Sequence, residues 1–182
     1  MKKLYFVRHG QTDTNVKELL SGNIEAILTE DGKAQATATG KTLHQNHGHI
    51  DLIICSTLQR AYDTACLIAK EIDYPIEKIQ KNELFIERSF GVLEGASNEK
   101  YFKMGGYKEL DLVEGAETIA ALQERAEKAL EYVKTLPAEN ILIVSHGAFG
   151  RAIRRVVNGE PYTNEYIGEL KIIDNSKIVE LF

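Results

Sequence analysis

Near the start of the chain, Lys3-Leu4-Tyr5-Phe6-Val7-Arg8-His9-Gly10 runs from apolar side chains into two basic ones and a glycine. A continuous apolar run of this length, with no polar alternation, reads as a strand covered on both faces. Gly10 stops it. Three further stretches repeat the design. Asp51–Cys55 (DLIIC) is a second apolar strand that leads into Ser56, Leu84–Ile86 is a third candidate that runs into Glu87-Arg88, and Asn140–Val144 (NILIV) runs into Ser145-His146-Gly147.

Helical spacing fills the intervals. Thr29 is placed to cap a helix carrying Ala34, Ala38 and Leu43 on one side. Ser56 or Thr57 caps another, with Leu58, Ala61, Ala65, Ile68 and Ala69 at helical intervals. Gly115 to Leu136 contains the longest helix, its inward face running from Ile119 to Val133 and its end marked by Pro137, and Gly147–Val157 forms the helix after the fourth strand. Leu170–Ile173 and Ile178–Leu181, joined through Asp174-Asn175-Ser176, read as a closing hairpin. Buried strands alternating with amphipathic helices predict an α/β fold: a three-layer α/β/α sandwich on a mostly parallel central sheet, with a closing antiparallel C-terminal strand.

The 182 residues contain no repeat, low-complexity tract or Pro/Gly-rich linker, so one domain over 1–182 is expected. Surface scaling gives roughly 8,800 Å² exposed when folded against roughly 29,600 Å² unfolded, a core that needs no disulfide or structural metal. A net charge of −5 repels phosphate at long range and argues against nucleic acid or an anionic membrane as partner. The longest apolar runs fall far short of the roughly 20 residues that a membrane span needs. Two cysteines make no disulfide framework, and a reducing cytoplasm is the expected location.

Parallel sheets bind ligands at the carboxyl ends of their strands. There the chain places Arg8 and His9, then Arg60 one helical turn past the second strand, then Glu87, then His146. Gly10 and Gly147 follow the histidines and let backbone come close to a ligand. Any one of these is ordinarily a solvated polar residue, but five on one rim point to an anion site. His44, His47 and His49 suggest metal binding at first sight, yet no cysteine or carboxylate cluster accompanies them, and a polar turn is the simpler reading.

The combination resembles the histidine phosphatase superfamily, which includes cofactor-dependent phosphoglycerate mutases and many small phosphatases. Arg8-His9-Gly10-x-Thr12 is similar to its opening signature. Agreement continues at Asn15, Ser21-Gly22, Ser56-x-x-x-Arg60-Ala61-x-x-Thr64-Ala65, Glu87-Arg88-x-Phe90-Gly91-x-x-Glu94-Gly95 and Ser145-His146-Gly147. The resemblance implies that His9 is a nucleophile forming phosphohistidine, with no metal and no cofactor. Arg8, Arg60 and His146 then bind the phosphoryl oxygens, and Glu87 gives a proton to the leaving group before serving as base for water. Backbone near Gly10, Ser21, Gly22 and Gly147, with the Asn15 side chain, completes the anion pocket.

Family mutases are typically longer after the third strand and carry basic residues there. Here a short insertion, about 94–115, offers Lys100, Lys103 and Lys108, and Gly105-Gly106 suggests a lid. Phe90 stands where mutases carry a tyrosine, and Asn98 where a lysine is expected. These departures favour a metal-independent phosphomonoester hydrolase acting on a small phosphorylated substrate. The alternatives are a phosphoglycerate mutase, a non-catalytic phosphate- or phosphoprotein-binding module, or a metal-dependent hydrolase using His9, Glu87 and His146. Either a monomer or a homodimer is compatible with the sequence.

Overall fold

A computed structural model describes residues 2–103, 109–160 and 172–182. Strands β1 (Lys3–Arg8), β2 (Leu52–Cys55), β3 (Gln80–Lys81), β4 (Asn140–Ser145) and β5 (Ile178–Glu180) form one sheet in the order β3-β2-β4-β1-β5. The first four are parallel and β5 runs antiparallel to β1. The helices are α1 (Asp13–Val16), α2 (Glu30–Asn46), α3 (Gln59–Glu71), α4 (Asn98–Lys103), α5 (Ile119–Thr135) and α6 (Gly147–Asn158). The exposed surface is 8840 Å², in line with the scaling expectation.

Strand alternation divides the core in two. Leu4, Phe6, Ile54, Ile141 and Ile143 face α5 and α6, where they meet Leu122, Ala126, Phe149 and Ile153. Tyr5, Val7, Ile53, Cys55, Leu142 and Val144 face the other way, against Leu43 of α2 and Ala61, Ala65 and Ile68 of α3. This is the expected three-layer sandwich. Its two helical layers explain why the strands are apolar on both faces.

Five local expectations are corrected. The inward side of α2 is Gly32, Ala36, Thr39, Gly40 and Leu43, whereas Ala34 and Ala38 are exposed. The third strand is Gln80–Lys81, not Leu84–Ile86: Asn82 Oδ1 accepts the Leu84 N–H and winds Glu83–Phe85 into a 3₁₀ turn. Neither Ser56 nor Thr57 caps α3. Leu58 occupies the cap position with no side-chain bond, and Ser56 Oγ takes the Leu58 N–H. The helix in Gly115–Leu136 begins at Ile119, with Thr118 Oγ1 accepting from Ala121 N–H, and its 17 residues equal those of α2. The closing hairpin is also different. Leu170 and Lys171 lie outside the described residues, Ile172 and Ile173 form no strand, and β5 pairs with β1.

Candidate active site

Sheet register builds the centre of the site. Arg8 of β1 lies opposite Ser145 of β4, and His9 N–H donates to Ser145 O at 2.9 Å, so the residues that follow the two strands converge. The imidazole centroids of His9 and His146 are 5.1 Å apart, edge to face. Both side chains are buried.

His9 Nδ1 lies 2.8 Å from Gly10 O. A carbonyl only accepts, so Nδ1 carries the hydrogen and Nε2 keeps its lone pair. Burial, then Arg60 and Arg8, hold the ring's pKa well below the ordinary histidine value, against a weaker opposing pull from the Gly10 carbonyl. Burial, then Arg60, His9 and Arg8, do the same for His146. Its Nε2 pairs with Ser56 Oγ at 2.7 Å, while Nδ1 is buried with no partner among the described residues.

A cavity of about 180 Å³ opens over His9. Arg8, Arg60, Asn15 and Glu87 line its polar side together with Ser21, Gly22 and Gly147. Arg60, in the first turn of α3, is almost fully buried and donates to Ile24 O at 2.8 Å and Gly22 O at 2.6 Å. The turn after α1 therefore aims this guanidinium, and its Nε has no partner among the described residues. Arg8 Nη1 donates to Ile173 O at 3.1 Å, and the guanidinium lies so close to Gly147 that a Cβ there would sit 3.5 Å from Arg8 Nε. Asn15 closes a capping box with Thr12. Its Oδ1 accepts from Thr12 N–H and Asn175 Nδ2, which leaves the donor half of the amide for the cavity.

Gly10 has a different place. It is not on the cavity wall, and its N–H donates to Thr64 Oγ1 at 3.0 Å. A Cβ here would run into the Gly32 carbonyl, so the glycine serves backbone packing against α2 while its carbonyl orients His9. His146 also lies behind the wall rather than on it.

Glu87 reaches the site without a strand beneath it. Its Oε1 accepts from Arg88 N–H at 2.9 Å, Ala148 N–H at 3.1 Å and Phe149 N–H at 3.1 Å, so the carboxylate sits on the N-terminus of α6. Among the described residues Oε2 has one contact, 3.2 Å from Ala148 N, and is the less engaged oxygen. The Arg88 side chain turns away, to Asp111 Oδ1 at 2.9 Å and Glu117 O at 2.7 Å. A simple Glu87–Arg88 ion pair is thus not what the structure holds.

Several supporting residues escape a reading of the sequence. Asn175 Nδ2 holds His9 O at 2.8 Å, Ser56 holds His146, and Ser145 Oγ donates to Phe85 O at 2.6 Å. Ser56 and Thr64 lie inside the blocks quoted above, which was the available signal. Asn175 sits in an ordinary turn triplet and had none. The three suspected metal histidines do not converge: His47 packs edge-on against Tyr5, and His49 lies 3.7 Å from Asp51. Among the described residues no group of three or more His, Cys, Asp or Glu is placed to hold a metal ion, and no helix is long and apolar enough to cross a membrane.

The model of the histidine phosphatase superfamily, branch 1, matches residues 4–181. A broad-specificity phosphatase of Saccharomyces cerevisiae is 31% identical over 185 aligned positions, covering 96% of this chain and 76% of its own. A 2,3-bisphosphoglycerate-dependent phosphoglycerate mutase of Bartonella bacilliformis is 30% identical over 169 positions, covering 87% and 82%. Among solved structures, YhfR of Bacillus stearothermophilus superposes with a TM-score of 0.85 at 24% identity, over 99% of this chain and 90% of that one. The chain therefore belongs to the histidine phosphatase superfamily, branch 1.

Proposed function

We propose that the chain hydrolyses phosphomonoesters in two steps through phosphohistidine at His9. One observation carries this reading: an imidazole fixed through Nδ1 on Gly10 O adjoins a cavity that also holds two arginines and a carboxylate, and burial beside those arginines disfavours its protonation. His9 Nε2 attacks phosphorus in line, and the ester P–O bond breaks. Arg8 and Arg60 balance the charge on the non-bridging oxygens. His146 lies behind the wall, so its Nδ1, a buried nitrogen without a partner among the described residues, meets a phosphoryl oxygen only when the phosphoryl group seats deep against His9. Glu87 protonates the departing alkoxide, then takes a proton from water as that water attacks phosphorus and the P–N bond breaks, which returns neutral His9.

Hydrolysis is favoured over return of the phosphoryl group to a sugar acid. Arg8 and Arg60 are the cations on the described cavity wall, and Leu20, Phe90, Tyr101, Phe102 and Ile172 give that wall a large apolar share. Asn98, at the place of the expected mutase lysine, lines the cavity and brings no charge. The short insertion at 94–115 is read as a lid; Gly105-Gly106 and Lys108 lie outside the described residues. The reading takes 1–182 as one domain, working as a monomer or homodimer. Cytoplasmic residence is inferred from the free cysteines, of which Cys55 is buried and its thiol pushed up to about 12 by burial.

The test is p-nitrophenyl phosphate hydrolysis near pH 6 in excess chelator, with His9→Ala beside the wild type. Turnover that resists chelator and disappears in the variant supports the proposal. Turnover abolished by chelator favours a metal-dependent hydrolase.

A further inference from the structure

The segment that presents Glu87 lies outside the sheet, so its backbone must be held some other way. Arg125, in the middle of α5, supplies the hold. Its Nη1 donates to Leu84 O at 3.0 Å and Ile86 O at 2.8 Å, and its Nη2 to Glu87 O at 3.4 Å. The intervening carbonyl, Phe85 O, is taken by Ser145 Oγ. The other edge of the guanidinium faces Glu117, with Nε to Oε1 at 2.8 Å and Nη2 to Oε2 at 2.7 Å. A guanidinium has five N–H donors, and here each has an acceptor.

The same group reaches the carboxylate's other support. Arg125 Cζ lies 5.1 Å from the Phe149 ring centroid, and Phe149 N–H is one of the donors to Glu87 Oε1. Arg125 thus touches both the main chain that carries Glu87 and the residue that fixes its side chain. It is absent from the cavity wall. With side chains 15% and 18% exposed, Arg125 and Glu117 form a pair largely shielded from water. Glu117 also accepts Arg88 Nε through its backbone carbonyl, so both residues of the Glu87-Arg88 step are tied to it.

We propose that Arg125, braced by Glu117, is the positioning residue for the proton donor, setting the distance from Glu87 to the leaving-group oxygen. The proposal rests on Glu87 being that donor. Proton transfer needs heavy atoms within about 3 Å, and small displacements are costly. Lysine keeps the charge but lacks the planar fork, so it cannot hold three carbonyls and a carboxylate together.

The experiment compares wild type, R125K, E117Q and E87Q on 2,4-dinitrophenyl, p-nitrophenyl, phenyl and alkyl phosphates. Good leaving groups need no proton, whereas phenyl and alkyl groups do. R125K is expected to lower kcat/KM, which reports attack by His9 and departure of the leaving group but not the later hydrolysis, by roughly tenfold or more for phenyl and alkyl phosphate, with less than about a threefold loss in kcat/KM on the dinitrophenyl ester. E117Q moves the same way by a smaller factor, and its milder change keeps the test open if R125K folds poorly. E87Q shows the same selectivity more strongly, and R125K/E87Q is no slower than E87Q alone. An equal loss across all esters in R125K and E117Q, beside a selective loss in E87Q, overturns the positioning role and leaves Glu87 as donor. No leaving-group dependence in E87Q overturns the donor assignment and the positioning role with it.

Discussion

His9 and His146 follow the paired residues Arg8 and Ser145 of adjacent parallel strands, and their rings meet at 5.1 Å with 61° between planes. The contact is a consequence of register: a slip of one residue reverses which face each side chain takes and separates the rings. Closely packed beside Arg8 and Arg60, two imidazoles are poor proton acceptors, and a nucleophile kept free of its proton is what in-line attack on phosphorus requires.

Stability should record the same effect. Both rings are held well below the ordinary value of 6.5, first by burial and then by Arg60. On unfolding they titrate near that value, so the unfolded chain binds protons that the folded chain refuses. Their contribution to stability is fully present above about pH 6.5 and is lost as pH falls toward the folded values. Over that window the pair together contributes a slope approaching about 3 kcal/mol per pH unit. Urea unfolding between pH 5 and 7 checks this: His146→Asn should remove about half of the pair's slope. Parallel pH dependence in wild type and variant contradicts it.

The apolar wall makes a statement about substrate. A leaving group that meets Leu20, Phe90, Tyr101 and Phe102 gains from burial, whereas a second anion finds no further cation among the described lining residues. The kcat/KM for p-nitrophenyl phosphate should exceed that for 3-phosphoglycerate by about tenfold or more, equivalent to about 1.4 kcal/mol, less than the burial of one large apolar side chain. Tyr101→Ala should narrow the ratio mainly through KM of the aryl ester. A ratio that favours phosphoglycerate returns the mutase reading to first place.

Arg88 concerns folding rather than chemistry. It is fully buried, and Asp111, whose side chain is 29% exposed, accepts both from it and from the Ile119 N–H that opens α5. Asp111→Ala should cost about 3 kcal/mol in urea unfolding because it takes the carboxylate from a buried cation. The leaving-group dependence of the folded protein should stay as in wild type. A selective loss on poor leaving groups assigns Asp111 to the Glu87 support instead.

Much of this architecture can be read from residue order. Leu4–Val7, Ile53–Cys55 and Ile141–Val144 are apolar on both faces because helices cover both faces, and that pattern is visible without coordinates. Arg8, His9, Arg60, Glu87 and His146 follow from asking what lies beyond the strand ends. The miss at Leu84–Ile86 has a clear cause. β3 consists of Gln80 and Lys81, both exposed and without an apolar signature, while the apolar triplet nearby, with Phe85 buried and Leu84 and Ile86 half-buried, follows a turn that one Asn82 bond creates. Arg125 and Glu117 are eight residues apart, a spacing that signals no pair, and the other partners of Arg125 are backbone carbonyls, which residue types do not reveal. Asn175 reads as a hairpin turn residue in the sequence, and its contact with His9 depends on β5 pairing with β1.

The most direct test of the central claim is to trap the intermediate. Wild type and His9→Ala are mixed with phosphorus-labelled p-nitrophenyl phosphate in excess chelator, quenched in base within the first turnovers, digested and sequenced by mass. The account predicts acid-labile, base-stable label on the peptide containing His9, formed as fast as p-nitrophenol appears and missing from the variant. Label on another residue, or undiminished turnover by His9→Ala, contradicts it.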